Sequence, residues 1–247
     1  MRIIISPAKK MNTDTDSLAF DALPRFLPEA DMIKCALQRM HPKELQRLWN
    51  CNDAIAALNI QRLYRMTLEK NLTPAILAYE GIQYQYMAPG VFEDGHFDYI
   101  SRHLRILSGF YGLLRPLDGV TPYRLEMQAK LAVGDCKDLY AFWGRKPADQ
   151  LCSETDFILN LASKEYSRAV AAHLPEGVRF ISCVFGEWQK GKLIEKGTLC
   201  KMARGQMVRF LAEHNVTTAG GIQAFNQLGY AYAPSHSTDD TLVFIKA

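Results

Sequence analysis

The sequence predicts a single α+β domain over residues 1–247, a mixed sheet with helices around it. Three observations carry this. Short apolar runs at 2–6, 157–162, 178–185 and 241–245 are rich in Ile, Val, Leu and Phe and too brief for core helices, so they read as buried strands. Stretches with helical apolar spacing separate them, but without the regular alternation of a doubly wound fold. Finally, 247 residues that are 48% hydrophobic can bury a sizeable core, and no repeat, low-complexity segment or linker divides it.

Element by element, 2–6 is the first strand, and 11–28, with its Asn, Asp, Thr and Pro, is a surface loop. Helices follow at about 29–39 and 42–49. Asn50-Cys51-Asn52 is a turn, and Asp53 can cap a helix reaching about Tyr64. A short helix at about 74–79 precedes a Tyr-rich loop that runs to Gly95. Ile100, Leu104 and Leu107 share one face of a helix predicted over 97–107, which Ser108-Gly109 ends. Leu139 to Gly144 and a short helix precede the strand at 157–162. An amphipathic helix covers 164–173, and a hairpin turn lies within 186–192, its second strand reaching about Leu199. A helix over 201–214 and a final strand at 241–245 complete the chain.

Charge and cysteine content limit the function. The formal net charge is only +3, so any nucleic-acid site must come from local clustering. None of the six cysteines forms a C-x-x-C pair, the N-terminal apolar run is too short for a signal peptide, and no run reaches membrane-spanning length. Reduced thiols and a cytoplasmic, non-membrane location are expected. The histidines are scattered, and His96 and His103 share a helix face only if their helix starts early, so no metal or cofactor is expected.

Two basic clusters stand out. Arg102, Arg105, Arg115 and Arg124 fall around chain reversals, where guanidinium forks suit phosphate or carboxylate. Lys190, Lys192, Lys196, Lys201, Arg204 and Arg209 crowd 186–210 against only Glu187 and Glu195. A solvated helix face would explain this second cluster alone; together the two favour an anion site. Lys201 and Arg204 share a helix face, and Gly205 between basic residues would let a phosphate approach the backbone. Lys9 follows the first strand, a usual place for ligand contact in α/β sheets. Ser108 to Gly112 is a candidate helix-hairpin-helix turn, although a Gly-capped helix end fits it better because Pro116 cuts the second helix. The pair 42–49 and 53–64 is a second candidate hairpin, presenting Asn59 and Arg62. Tyr79, Tyr84 and Tyr86 could stack bases, but half-buried packing is the commoner use.

Six colinear blocks then point to a family. Ile5-Ser-Pro-Ala-Lys9, Leu104 through Asp118, Pro122 through Met127, Leu139 through Gly144, Asn160 through Ser163 and Ala203-Arg-Gly205 together resemble the YaaA-type peroxide stress proteins. The resemblance implies a bacterial cytoplasmic protein of oxidative stress, linked to lowering free iron and limiting damage. It also implies DNA binding through a positively charged cleft with a helix-hairpin-helix element. Carried over by residue, the cleft holds Lys9, Arg105, Arg115, Arg124, Lys201 and Arg204, and Asn59 with Arg62 matches a further family pattern. The chain departs from the family at Gln128, where Gly is usual, and at Gly81 through Tyr86, where an Asp and a Gly are lost.

The sequence therefore predicts a monomeric stress protein that binds duplex DNA, distorted duplexes included, through Lys9, Asn59, Arg62, Arg105, Arg115, Arg124, Lys201 and Arg204. The alternative is an enzyme acting on a small anionic or nucleotide-like substrate, with Lys9, Tyr123 and Glu126 as catalytic groups, because a pure phosphate binder has no use for Glu126. Pairing of Glu126 with an arginine such as Arg124 would explain that carboxylate without catalysis. An open groove of duplex width favours DNA; a closed pocket in which Lys9 faces Glu126 favours chemistry.

Overall fold

The computed structural model describes residues 1–246. The chain opens with β1 (Arg2–Ile5), whose three isoleucines are wholly buried, and β2 (Lys10–Met11). A helical layer follows: α1 (Leu27–Gln38), α2 (Pro42–Trp49) and α3 (Asp53–Arg65). His41 and Glu44 form a capping box on α2, and the Asn52 side chain caps α3, so the two helices begin close to where the sequence places them. Next come β3 (Thr73–Pro74), α4 (Ala75–Ala78), β4 (Tyr79–Glu80) and α5 (Ile82–Met87). The expected Tyr-rich loop thus contains a helix, whose Gln83, Tyr84 and Met87 are buried.

A larger difference lies at 97–107. α6 (Asp94–His103) stops at His103, and β5 (Leu104–Ser108) begins at once. All five residues of β5 are buried, and Leu104 to Ile106 pair parallel to β1, with Ile3 opposite Leu104 and Ile5 opposite Ile106. The helical spacing of Leu104 and Leu107 is incidental: a strand covered on both faces needs no period. β6 (Gly112–Leu114) then pairs antiparallel to β5, with Ser108 opposite Gly112. Residues 108–112 are therefore a β-hairpin turn, which corrects both the helix end and the helix-hairpin-helix turn expected there. Its glycines serve packing. A Cβ on Gly109 would lie 3.0 Å from the backbone of Leu125 and Glu126, and Gly112 has φ +72° against the Trp143 ring.

The remainder is β7 (Gly119–Val120), α7 (Leu139–Trp143), α8 (Lys146–Glu154), β8 (Phe157–Leu161), α9 (Lys164–Ala171), β9 (Arg179–Gln189), β10 (Lys192–Ile194), α10 (Gly197–Glu213), α11 (Ala219–Gln223), β11 (Tyr230–Tyr232) and β12 (Thr241–Lys246). The strand expected to reach Leu199 ends at Ile194, and α10 starts at Gly197. The main sheet has the order β11-β12-β9-β8-β1-β5-β6, with β10 beside β9. Its five central strands are parallel, and antiparallel pairs close its margins. This is the mixed sheet with surrounding helices that the sequence predicts.

One topological feature positions a site. β1 is followed in the sheet by β5 on one side, whereas β8 leads through α9 to β9 on the other. β1 and β8 are neighbours, so their C-terminal loops diverge and leave a crevice, the usual place for ligands in such sheets.

Candidate functional site

A pocket of about 380 Å³ occupies that crevice. Residues 6–10 after β1 and 163–166 after β8 form two of its walls; α5, α10 and the segment 124–126 form the others. The two strand-end loops are tied together. The Ser163 N–H donates to Ser6 Oγ (2.8 Å), and the Ser6 hydroxyl donates to Ser163 Oγ (3.3 Å). Tyr84 Oη donates to the Ser6 carbonyl (3.0 Å), pinning α5 over the β1 loop. Buried Asn160 accepts from the Ala162 N–H (2.9 Å) and donates to Ser182 Oγ (3.1 Å), setting the turn that leads into α9. Ser163 is the N-cap of α9 but makes no side-chain capping bond, so the first-turn amides of that helix are not satisfied by its own cap.

The lining is mixed in charge. Lys9 pairs with Glu126, and Lys10 pairs with Glu80 (2.6 Å). Gln128 reaches two carboxylates at once: its backbone N–H donates to Glu165 (3.2 Å) and its side-chain amide to Glu126 (3.4 Å). The residue that departs from the family pattern thus adds a contact that glycine could not. Burial pushes the Glu165 carboxyl above the usual range, opposed by the Gln128 N–H, and the Glu126 charge pushes it further up against the pull of Lys9.

Arg124, Lys201 and Arg204 differ from Lys9 and Lys10. Among the described residues none of the three is paired with a carboxylate. Arg124 makes only long bonds to the carbonyls of Lys9 (3.4 Å) and Trp49 (3.5 Å). The Nε atoms of Arg124 and Arg204 are buried with no partner. Glu126, expected to pair with an arginine such as Arg124 if it served structure, is instead held by Lys9.

The structure gathers Lys9, Arg124, Lys201, Arg204 and Glu126 in this one pocket. It places the other expected site residues elsewhere. Tyr123 is buried beneath, its hydroxyl 2.7 Å from both Tyr79 Oη and Ser108 Oγ, and burial pushes its pKa up to about 12. It does not line the pocket and stays protonated at neutral pH. Arg105 is only 5% exposed and is spent on Glu154 and on the carbonyls of Ser101 and Leu104, so a duplex cannot reach it. Arg115 caps its own turn by pairing with buried Asp118 (3.0 Å). Asn59 is buried and donates to Ile55 O, while Arg62 donates to Met11 O. Asn59 and Arg62 sit on α3 of the second helix pair, away from the pocket.

Gly205 does not bring phosphate to the backbone. It is buried where α10 crosses α5, and a Cβ there would meet Gln83 O at 2.1 Å. Of the second basic cluster only Lys201 and Arg204 enter the pocket; Lys196 pairs with Glu187 and Arg209 with Glu213. Tyr79 and Tyr84 are buried, as the packing reading expects. His96 accepts from the Glu93 N–H in the cap of α6, and His103 Nδ1 bonds Met1 O. The cysteines are all free; burial pushes Cys183 up to about 12 and raises Cys200 and Cys152, so their thiolates are scarce. No helix among the described residues is long and apolar enough to cross a membrane. Sequence reasoning missed Ser6, Ser163 and Glu165. The available signal was positional, since Ser6 and Ser163 each follow a strand flanking the switch point.

Fold and site define a mixed α/β protein with a charged ligand pocket at the switch point of its sheet. A family model described as peroxide stress protein YaaA matches residues 1–236. The chain is 52% identical over 246 residues to a UPF0246 protein of Lachnoclostridium phytofermentans, covering 100% of this chain and 96% of that one. It is 52% identical over 247 residues to one of Desulfitobacterium hafniense (100% and 98%), and 49% identical over 247 to one of Lactiplantibacillus plantarum (99% and 99%). The chain belongs to the peroxide stress protein YaaA family.

Proposed function

We propose that this peroxide stress protein works in the cytoplasm by binding phosphate-bearing ligands at the switch-point pocket, with DNA as its polyanionic partner, and so limits iron-dependent damage. The observation that carries the reading is the convergence of Arg124, Lys201 and Arg204 on one pocket without carboxylate partners. A guanidinium Nε–H buried without an acceptor, as in Arg124 and Arg204, is costly unless a ligand supplies one. Contacts to phosphate give affinity with little sequence preference. Duplex affinity should fall with salt at a log–log slope of about −0.9 per neutralised phosphate, and the Lys201→Glu/Arg204→Glu double variant should lose at least about tenfold on every unrelated sequence. Fluorescence anisotropy over a salt series reads both. A flat salt dependence removes the DNA reading.

A second reading, catalysis on a small anionic substrate, is favoured by one observation: Lys9 and Glu126 face each other inside a pocket rather than along an open groove. Glu126→Gln separates the two. Because the Lys9 side chain is 65% exposed, losing the pair should cost less than about 1 kcal/mol in thermal melts. If the pocket only binds phosphate, removing the carboxylate leaves DNA affinity equal or higher and peroxide survival of complemented cells intact. If Glu126 moves a proton, survival is lost while folding and DNA binding persist.

A further inference from the structure

The pocket carries both signs of charge, and a phosphate satisfies only one. Arg124, Lys201 and Arg204 are its cations without a carboxylate partner. Glu126 and Glu165 are its carboxylates, both bonded by Gln128. Leu125, Tyr84 and Tyr166 add apolar surface to the lining.

Each sign of charge rules out a simple ligand. Inorganic phosphate would leave the remaining acceptor capacity of the carboxylates unused, and a polyphosphate would press a second anion against them. A neutral nucleoside would leave the guanidinium groups without acceptors. The fitting ligand carries one phosphate together with several N–H or O–H donors and an apolar face. Charge agrees: the five cations Lys9, Lys10, Arg124, Lys201 and Arg204 against the three carboxylates Glu80, Glu126 and Glu165 leave +2, which a phosphate monoester dianion neutralises. A cavity of about 380 Å³ is at the small end of ligand sites and encloses one phosphate-bearing unit, so a DNA strand would enter it a nucleotide at a time and a duplex would engage only at its backbone.

We infer that the pocket takes a single nucleoside monophosphate unit, its phosphate on Arg124, Lys201 and Arg204 and its ribose diol or base N–H groups on Glu126 and Glu165. This rests on the phosphate-binding reading and adds to it the identity of the occupant and the role of Glu165, which selects the donor-bearing end. The unit arrives either as a free nucleotide or as an unstacked nucleotide of a strand.

Calorimetry on the full chain with the four nucleoside 5′-monophosphates, adenosine, inorganic phosphate, a single-stranded oligonucleotide and a duplex tests this. At least one monophosphate should bind tenfold or more tighter than adenosine and than inorganic phosphate. Arg204→Gln should weaken it at least tenfold; Glu165→Gln should weaken the monophosphate but not inorganic phosphate. Lys201→Gln, at an exposed position, gives a second variant if Arg204→Gln melts early. Competition between oligonucleotide and monophosphate identifies a strand as source, and its absence the free nucleotide; both support the inference. Inorganic phosphate binding as tightly as every monophosphate overturns it, as does unchanged monophosphate affinity in Arg204→Gln and Lys201→Gln. Salt-dependent duplex binding with no monophosphate binding overturns this inference and leaves the phosphate-binding reading standing; no binding of phosphate, nucleotide or DNA overturns both.

Discussion

Gly205→Ala is expected to destabilise the protein by about 3 kcal/mol or more, at and beyond the upper end of ordinary overpacking. The substitution is instructive because helix propensity alone predicts the opposite sign. Gly205 lies inside the 17-residue α10, where alanine should gain about 1 kcal/mol. The added Cβ, however, would sit 2.1 Å from the Gln83 carbonyl oxygen and 3.0 Å from the Met87 nitrogen. Both are backbone atoms of α5, so no side chain can swing away, and the two helices must part. A loss of 3 kcal/mol in a chain of this size lowers Tm by roughly 6–12 °C. The functional consequence exceeds the thermal one. α5 brings Gln83 and Tyr84 to the pocket and α10 brings Lys201 and Arg204, so separating them moves the two cations from the wall that α5 supplies. Ligand affinity should therefore fall in the fraction that remains folded. Gly95→Ala in α6 is the control: nothing lies within 4 Å of its Cβ, and the change should be neutral or slightly stabilising. A Gly205→Ala melt as high as that of Gly95→Ala would refute the close-packing account.

The same glycine shows how far the sequence could be read. Flanked by Arg204, it looked like a phosphate-approach glycine, because sequence displays the neighbours in the chain and not the helix across from it. Buried parallel strands were legible, since β1, β8, β9 and β12 each present continuous apolar runs. β5 was not: Leu104 and Leu107 match a helical spacing by chance, and only pairing with β1 decides between states that local propensity leaves nearly equal. The cations followed the same division. Lys201 and Arg204 were found because a regular helix fixes their shared face. Arg105 looked equivalent to Arg124, yet one answers an internal carboxylate 49 positions away in the chain and the other does not. Glu165 was invisible as a site residue because its neighbour Glu126 arrives from a segment with no regular structure.

Glu154→Ala should produce the other large effect, a loss of about 3 kcal/mol from leaving buried charge uncompensated. Glu154 Oε2 lies 2.6 Å from Arg2 Nε and 2.6 Å from Arg105 Nη2, joining β1, β5 and the end of α8. The two sides of this triad carry opposite signs. Burial pulls the Arg105 pKa down, so its cation is poorly solvated, and Glu154 is what compensates it. For Glu154 itself, burial raises the pKa, but hydrogen bonds from Arg2 and Gln150 and the charge of Arg105 outweigh burial and hold it below the usual carboxylate range. A carboxylate whose folded pKa is depressed stabilises the fold above its unfolded value, near pH 4.3, and that stability disappears as pH falls through the folded value. Denaturant melts at falling pH should show a steeper loss below about pH 4.3 in the native protein than in Glu154→Gln, which has no proton to take up. Arg105→Met carries the argument back to function. If Arg105 contacted DNA, that variant would bind weakly while melting normally. The burial of Arg105 predicts the reverse: a lowered melting temperature, and DNA affinity per folded molecule equal to that of the native chain. Weak binding by a fully stable Arg105→Met would return Arg105 to the ligand site, and a Glu154→Ala variant within about 0.5 kcal/mol of the native protein would show that the triad is solvated rather than buried.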